Sequence, residues 1–441
     1  MMNSPMTHVS RAMIRYRLLL GGSVLLAAVA CSSILDVRNV NNVEESALSN
    51  PQAAASEANG VLASLVRMLS GLTVPYGVAT DELDWIGSRD AWFDIETGGL
   101  GNYLNEFTDA VFPLVGEVRY LGDQTVVRLE GFRKAGTLTD PLILARGYLY
   151  TAIAYTTIAD AYDDFAFSDK RTPAAPIGRA NMGTLYDKAI DYLTKAQVIA
   201  AAGSDNALKF NVLAYRARAQ HAKAVWAKIT PKGQTPANPL VSVATANADA
   251  AAAIALGGSD QKFTLASNLE ATAGTNIWFE VNGRNEHRVG IAYSNLIDPI
   301  TNAKDVTTQA LLAQFKSFGT LSGVFTMTSV RELRLILAEA ALADGNSGEL
   351  RSQINAVRAL DGKPAFTGQI SDLAMLRHER QAQLWLMNRR LSDMYRFGIK
   401  DPKWTPNPNF ESAFSVPGLL FPIPNVERLG NPCIADPSKC R

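Results

Sequence analysis

The side chains best able to do chemistry in this chain are carboxylates and aromatic rings gathered in two stretches. Asp81, Glu82 and Asp84 lie near Trp85, Trp92, Phe93 and Asp94, with Tyr103 shortly after. Trp278, Phe279 and Tyr293 form a second group far downstream. An aromatic face offers flat apolar area to a sugar ring, and neighbouring Asp, Asn and Arg can hydrogen-bond its hydroxyls. Trp85, Trp92, Phe93, Tyr103, Trp278 and Tyr293 are therefore candidate ligand contacts. The alternative is that these rings staple loops onto the scaffold. Two carboxylates about 5 to 10 Å apart across such a cleft would suit glycoside hydrolysis. Asp160, Asp163 and Asp164 beside Phe165 are a further set of that kind. Acidic residues at solvated loops and helix ends far outnumber catalytic pairs, so binding is expected and no catalytic residue is assigned.

Other chemistries fail on spacing. His378-Glu379 begins the zinc pattern H-E-x-x-H, but Ala382 stands where the second His must be. One imidazole on a helix face cannot build that site. Gly362-Lys363 has Val357 where a phosphate-binding loop needs Gly. No metal and no cofactor is implied.

Cys31 has a different chemistry. Arg11, Arg15 and Arg17 precede an apolar run, Leu18 to Ala30, and no acidic residue occurs before Asp36. A basic start, a short apolar core and small residues at its end make a secretory signal. The run is too short for a bilayer, which takes about 20 residues, and no later stretch is expected to span one. Ala28-Val29-Ala30-Cys31 is similar to the lipobox of bacterial lipoproteins. That resemblance implies cleavage before Cys31 and diacylation of its thiol. More than one acyl chain gives stable anchoring, at roughly 0.8 kcal/mol per buried methylene. Losing the leader's three arginines from 42 basic residues leaves 39 against 42 acidic, a charge of −3. That balance gives no electrostatic footprint for nucleic acid. Cys433 and Cys440 sit in a loop-like tail and could pair in an oxidising compartment; two free thiols are the alternative.

The elements that must position these residues are mostly helices. A tether is expected to Asn50, then a helix from Pro51 to Leu69 with Asn50 as its cap. Residues 71–100 read as irregular surface structure. Helices follow at 105–132 (with a possible break at Pro113), 141–165, 184–201, 206–229 and 242–256. Ala189, Leu193 and Ala196 share one face in the small-large-small pattern of a tetratricopeptide repeat's second helix. Residues 328–361 read as a helix pair around Asp344-Gly345-Asn346, and 371–397 as a last helical stretch. Long inserts, 230–241 and 258–327, separate the pairs. The expected fold is mainly α: tetratricopeptide-like helix pairs carrying long irregular insertions.

Several stretches together resemble one family, the SusD/RagB-like nutrient-uptake lipoproteins of the bacterial outer membrane. They are CSSILDVRNVNN at 31–42, YGVATDEL at 76–83, RLILAEAALADGN with INAVRA at 334–359, and LLFPIPNVERLGNP at 419–432. HERQAQLWLMNRRLSDMYRFG at 378–398 is similar to the family's most characteristic helix. Gln383 and Met387 depart from its acidic positions, whereas Glu379, Arg380, Arg390, Asp393, Arg396, Phe397 and Gly398 remain. The resemblance implies a signal peptide at 1–30, a lipidated tether at 31–50, an N-terminal part at 51–327 and a C-terminal part at 328–441. It implies a non-catalytic lipoprotein, anchored on the outer membrane facing the cell surface. Such a protein binds a nutrient, often a glycan, and passes it to a SusC-like TonB-dependent transporter. The charged residues of the 378–398 motif are spaced to pair with neighbouring turns rather than to touch ligand. A lipid-anchored helical-repeat scaffold that binds only proteins is the alternative, and a glycoside hydrolase a more distant one.

Overall fold

The computed structural model describes residues 45–169, 172–268 and 276–440. The leader, Cys31 and most of the tether lie outside the described residues. A helical turn, Glu45–Leu48, belongs to a first unit ending at Asn50, and Pro51–Arg441 forms a second, compact unit.

The second unit begins with a 3₁₀ turn, Pro51–Ala53, leading into α1, Ala54–Val78. Asn50 does not cap it; Ala53 takes that place without a side-chain bond. The helix also runs well past Leu69. Gly71, Pro75 and Gly77 read as punctuation, yet Leu72, Val74, Tyr76 and Val78 are all buried, and tertiary packing overrides the local signal. By length and composition Pro51–Val78 could cross a membrane, which corrects the expectation that no stretch after the leader could. Its apolar window is 78% buried inside the protein, as in a core helix.

Beyond it come β1, Leu83–Trp85, and α2, Ala91–Glu96. The long α3, Glu106–Lys134, starts on Asn105, whose side chain accepts the Phe107 N–H at 3.0 Å. It continues through Pro113 without a break. The lost hydrogen bond is outweighed by packing against α1 and against α4, Pro141–Ala161. Asp140 caps α4 at 2.9 Å with Pro141 in its first turn. α4 is buried almost all round, which places it at the centre. Next come α5, Gly183–Ala202, α6, Asn206–Ile229, and α7, Ala244–Gly257, each packed on the helix before. Ala189, Leu193 and Ala196 of α5 are fully buried, so the small residues sit at the close helix–helix contact.

The 258–327 insert is more regular than its sequence suggests. It holds β2, Lys262–Asn268, β3, His287–Val289, α8, Val306–Ser317, and most of β4, Ser322–Ser329. Among the described residues the strands make two antiparallel pairs, β1–β3 and β2–β4. The 327/328 division falls inside β4. After β4 come α9, Val330–Ala343, and α10, Ser347–Leu360, capped by Ser329 and Asn346. The 371–397 stretch is two helices, α11, Asp372–Gln383, and α12, Arg390–Arg396. Between them Leu386 and Asn388 adopt φ of +56°. A short α13, Asn425–Gly430, packs on α3. In the tail the Cys433 and Cys440 sulfurs are joined at 2.19 Å. The result is a mainly α fold.

Candidate functional site

The two aromatic stretches singled out in the sequence meet in space. β1 pairs with β3 in register, Leu83 with Val289, Asp84 with Arg288 and Trp85 with His287. Gly290 N–H closes the ribbon on the Glu82 carbonyl at 2.9 Å. Beyond the ribbon the Ile86 and Gly87 amides both donate to the Glu286 carbonyl. This brings Trp85 against α2, where its ring meets Phe93 edge-on, centroids 6.4 Å apart. Phe93 is 59% exposed and Ile86 49% exposed, with Trp85 half-buried beside them. Trp85 and Phe93 form an aromatic platform open to solvent.

The platform stands on fixed charges. The Trp85 indole N–H donates to Glu286 Oε1 at 3.0 Å, and the Arg89 amide donates to the same oxygen at 2.9 Å. The Arg89 guanidinium binds Glu280 and lies over the rings of Trp92 and Phe107. Burial works against the Glu286 carboxylate, but the Arg89 amide, the Trp85 indole and the Arg89 charge outweigh it and hold its pKa below the usual value. On the other face of the ribbon Asp84 accepts from Lys403 Nζ at 2.7 Å and Arg288 Nε at 3.1 Å. Burial again opposes the charge, and the two cations outweigh it, so Asp84 also titrates below its usual value. Arg288 remains half-exposed on the ribbon face opposite Trp85, because successive residues of a strand point to opposite faces.

The other candidate rings lie elsewhere. Trp92 is buried, stacked on Phe107 at 3.6 Å with the His287 edge against it. Trp278 is buried among Phe315, Phe318 and Phe325. Tyr293 is buried against Trp385, with Arg390 over its ring. All three pack against neighbouring rings, and Trp278 also lines a small cavity with Phe318 and Trp385. Tyr103 is half-buried in a separate contact, edge-on to Phe410 with Arg428 over its face. Of the six rings, only Trp85 and Phe93 form an open pair. Sequence reasoning missed Arg89, Glu280 and Glu286, because nothing in sequence joins Arg89 to acids so far away.

The carboxylates weighed for hydrolysis have other work. Asp81 forms a two-pronged pair with Arg390, 2.7 Å at Nε. Glu82 is wholly buried. Asp160 binds Arg389 and the Tyr186 hydroxyl. Asp163 binds Arg179 and accepts the Leu420 N–H, and Asp164 accepts the Phe165 and Gly178 amides. Asp298, His378 and Glu379 bring ligand-type atoms within 4.8 Å of one another. That space is already served by cations. Arg358 reaches Asp298 at 2.9 Å and Glu379 at 2.7 Å, and Lys363 reaches both Glu379 oxygens at 2.9 Å.

The 378–398 motif is a buried charge lattice. Arg396 pairs with Glu339 and Asp393, Arg380 with Asp393, and Arg390 with Asp81. Gln383 stands between Glu379 and Asp361 and donates to both, at 3.3 and 3.2 Å. Its own Oε1 accepts from Arg331 at 2.9 Å, so the amide serves the two acids and the cation together.

No family model matches the chain, and no curated protein sequence does. Solved structures do. A SusD superfamily protein from Bacteroides vulgatus superposes with a TM-score of 0.63 at 14% identity, covering 87% of this chain and 98% of that one. A SusD homolog from Bacteroides thetaiotaomicron gives 0.55 at 14% identity, over 87% and 93% of the two chains. A SusD-like carbohydrate binding protein from Bacteroides fragilis gives 0.54 at 14%, over 78% and 86%. The chain has the SusD-like fold.

Proposed function

We propose that this chain captures a glycan at the bacterial outer membrane and delivers it to a SusC-like TonB-dependent transporter. The observation that carries the reading is the exposed Phe93 ring set edge-on to the half-buried Trp85, whose indole is fixed by Glu286. Such an aromatic surface fits the apolar face of a sugar ring. Similarity in fold to SusD-like carbohydrate binding proteins supports the same class of ligand. Acylation at Cys31 would tether the body to the membrane and raise its effective concentration near the transporter. The helical scaffold would dock on that transporter while the platform faces the ligand. The role is capture without catalysis, in keeping with carboxylates committed to ion pairs and backbone amides.

The test is calorimetric titration of the purified full-length chain with a panel of neutral and acidic oligosaccharides, with chromatography of the mixture for cleavage. One or more glycans should bind and be recovered intact. Replacing both Trp85 and Phe93 by Ala should weaken binding by at least about tenfold, about 1.4 kcal/mol. Wild-type affinity in the double variant would refute the platform, and released product would refute capture without catalysis.

A further inference from the structure

A cavity of about 540 Å³ opens between α1, α3, α13 and the segment at 165–169. It shares no lining residue with the Trp85–Phe93 platform. Its volume is within the roughly 300 to 1,000 Å³ of small-molecule sites. The floor is one face of α3. Pro113, Gly116 and Tyr120 follow one another there at helical spacing. Gly116 is informative. Glycine inside a helix costs about 1 kcal/mol relative to alanine. A Cβ at Gly116 would meet nothing within 4 Å, so packing does not require the glycine. Its effect is to keep the floor open.

The walls supply both hydrogen-bonding signs. Arg67 and Glu117 form an ion pair at the rim, their side chains 31% and 36% exposed. Glu427 is held in place by the Ser168 hydroxyl at 3.1 Å and the Asn431 amide at 3.0 Å. Arg119 is a largely buried part of the lining, bound to the Ser168 carbonyl, and its Nε has no hydrogen-bond partner. The lining carries three acids, Glu117, Asp169 and Glu427, and two cations, Arg67 and Arg119, so an anion meets acids and a cation meets arginines. A neutral ring with one flat apolar face and hydroxyls around its edge suffers neither repulsion. Its face would lie on Tyr120 and Pro113, and its edge would find Arg67 as donor and Glu117 and Glu427 as acceptors.

We propose that this cavity is a second carbohydrate site, which takes a neutral pyranose ring independently of the platform. The experiment is saturation-transfer NMR on the full-length chain, with methyl glucoside, galactoside, mannoside and xyloside as probes and methyl glucuronide as the charged comparison. Four proteins are compared: wild type, Gly116→Leu, Tyr120→Ala and the Trp85→Ala/Phe93→Ala double variant. At least one neutral probe should receive saturation in wild type and in the double variant. Gly116→Leu fills the floor and should weaken that probe by at least about tenfold while the melting temperature holds or rises. Tyr120→Ala should weaken it too, which keeps the test alive if Gly116→Leu disturbs α3. The proposal is overturned if no neutral probe binds, if binding survives both α3 variants, or if the glucuronide is preferred. Any of these leaves oligosaccharide binding at the platform untouched, so the two readings fail separately.

Discussion

Glu82 joins the base of the β1–β3 ribbon to the break between α11 and α12. Its carbonyl accepts Gly290 N–H at 2.9 Å and the Trp385 indole at 3.3 Å. Its carboxyl accepts Leu386 N–H at 2.6 Å, at a residue held at φ of +56°. Burial pushes the Glu82 pKa up from 4.5 to about 8. Asp81 adds to the rise, against the lowering from Leu386 N–H and Arg390. At neutral pH the folded chain therefore carries a proton here that the unfolded chain has released. The folded state binds more protons, so this group's contribution to stability falls as pH rises from about 4.5 to about 8. At 1.36 kcal/mol per pH unit, the loss between about pH 5 and about pH 9 is about 4 kcal/mol. Glu82→Gln keeps the shape and the acceptor oxygen and cannot titrate. Urea unfolding of both proteins across that range should show the variant gaining about 4 kcal/mol on wild type from the acid to the alkaline end. Parallel stability curves, or a gap that closes as pH rises, would refute a protonated Glu82.

Two further substitutions separate platform from foundation. Phe93→Ala should change stability by no more than about 0.5 kcal/mol, because the ring is in solvent. Trp92→Ala, one residue earlier, should cost about 3 to 5 kcal/mol by emptying the stack on Phe107. Thermal melts of the two decide the matter, and a wild-type melt for Trp92→Ala would count against its buried position. Gly290→Ala should loosen the ribbon, since a Cβ there would lie 2.0 Å from the Asp81 carbonyl oxygen, an atom of the main chain that cannot swing aside. Hydrogen exchange at the Gly290 and Leu83 amides should speed up. Unchanged protection would show that the ribbon tolerates the added carbon.

The helical half of the fold was legible because its boundaries carry local chemistry. Asp140 before Pro141, Asp205 before Asn206 and Asn346 after Gly345 each cap a helix whose start the sequence marks. The β2–β4 pair was missed. Phe263 and Leu265 alternate as a strand should, and so do Phe325 and Met327, but the runs are short and far apart along the chain. The break after α11 gave no signal. Trp385, Leu386 and Met387 continue an apolar helical pattern without Gly or Pro. Bonds from distant residues enforce the break: Glu82 receives Leu386 N–H, and Arg218 donates to the Met387 carbonyl.

The same limit decides which rings are exposed. Neighbours on a helix point about 100° apart, so Trp92 and Phe93 are equivalent in composition and opposite in role. Which one faces water is set by the Arg89–Glu280–Glu286 cluster, whose acids arrive from a segment far along the chain. That cluster also explains why exposed rings fit capture. Leaving a Phe side chain in water forgoes roughly 1.5 to 3 kcal/mol of burial. At the platform that deficit is confined to Phe93 and part of Trp85, and the acids beneath them, Glu280 and Glu286, are buried. A ligand settling on rings already fixed by Glu286 orders little protein on arrival, so more of its contact energy remains as affinity.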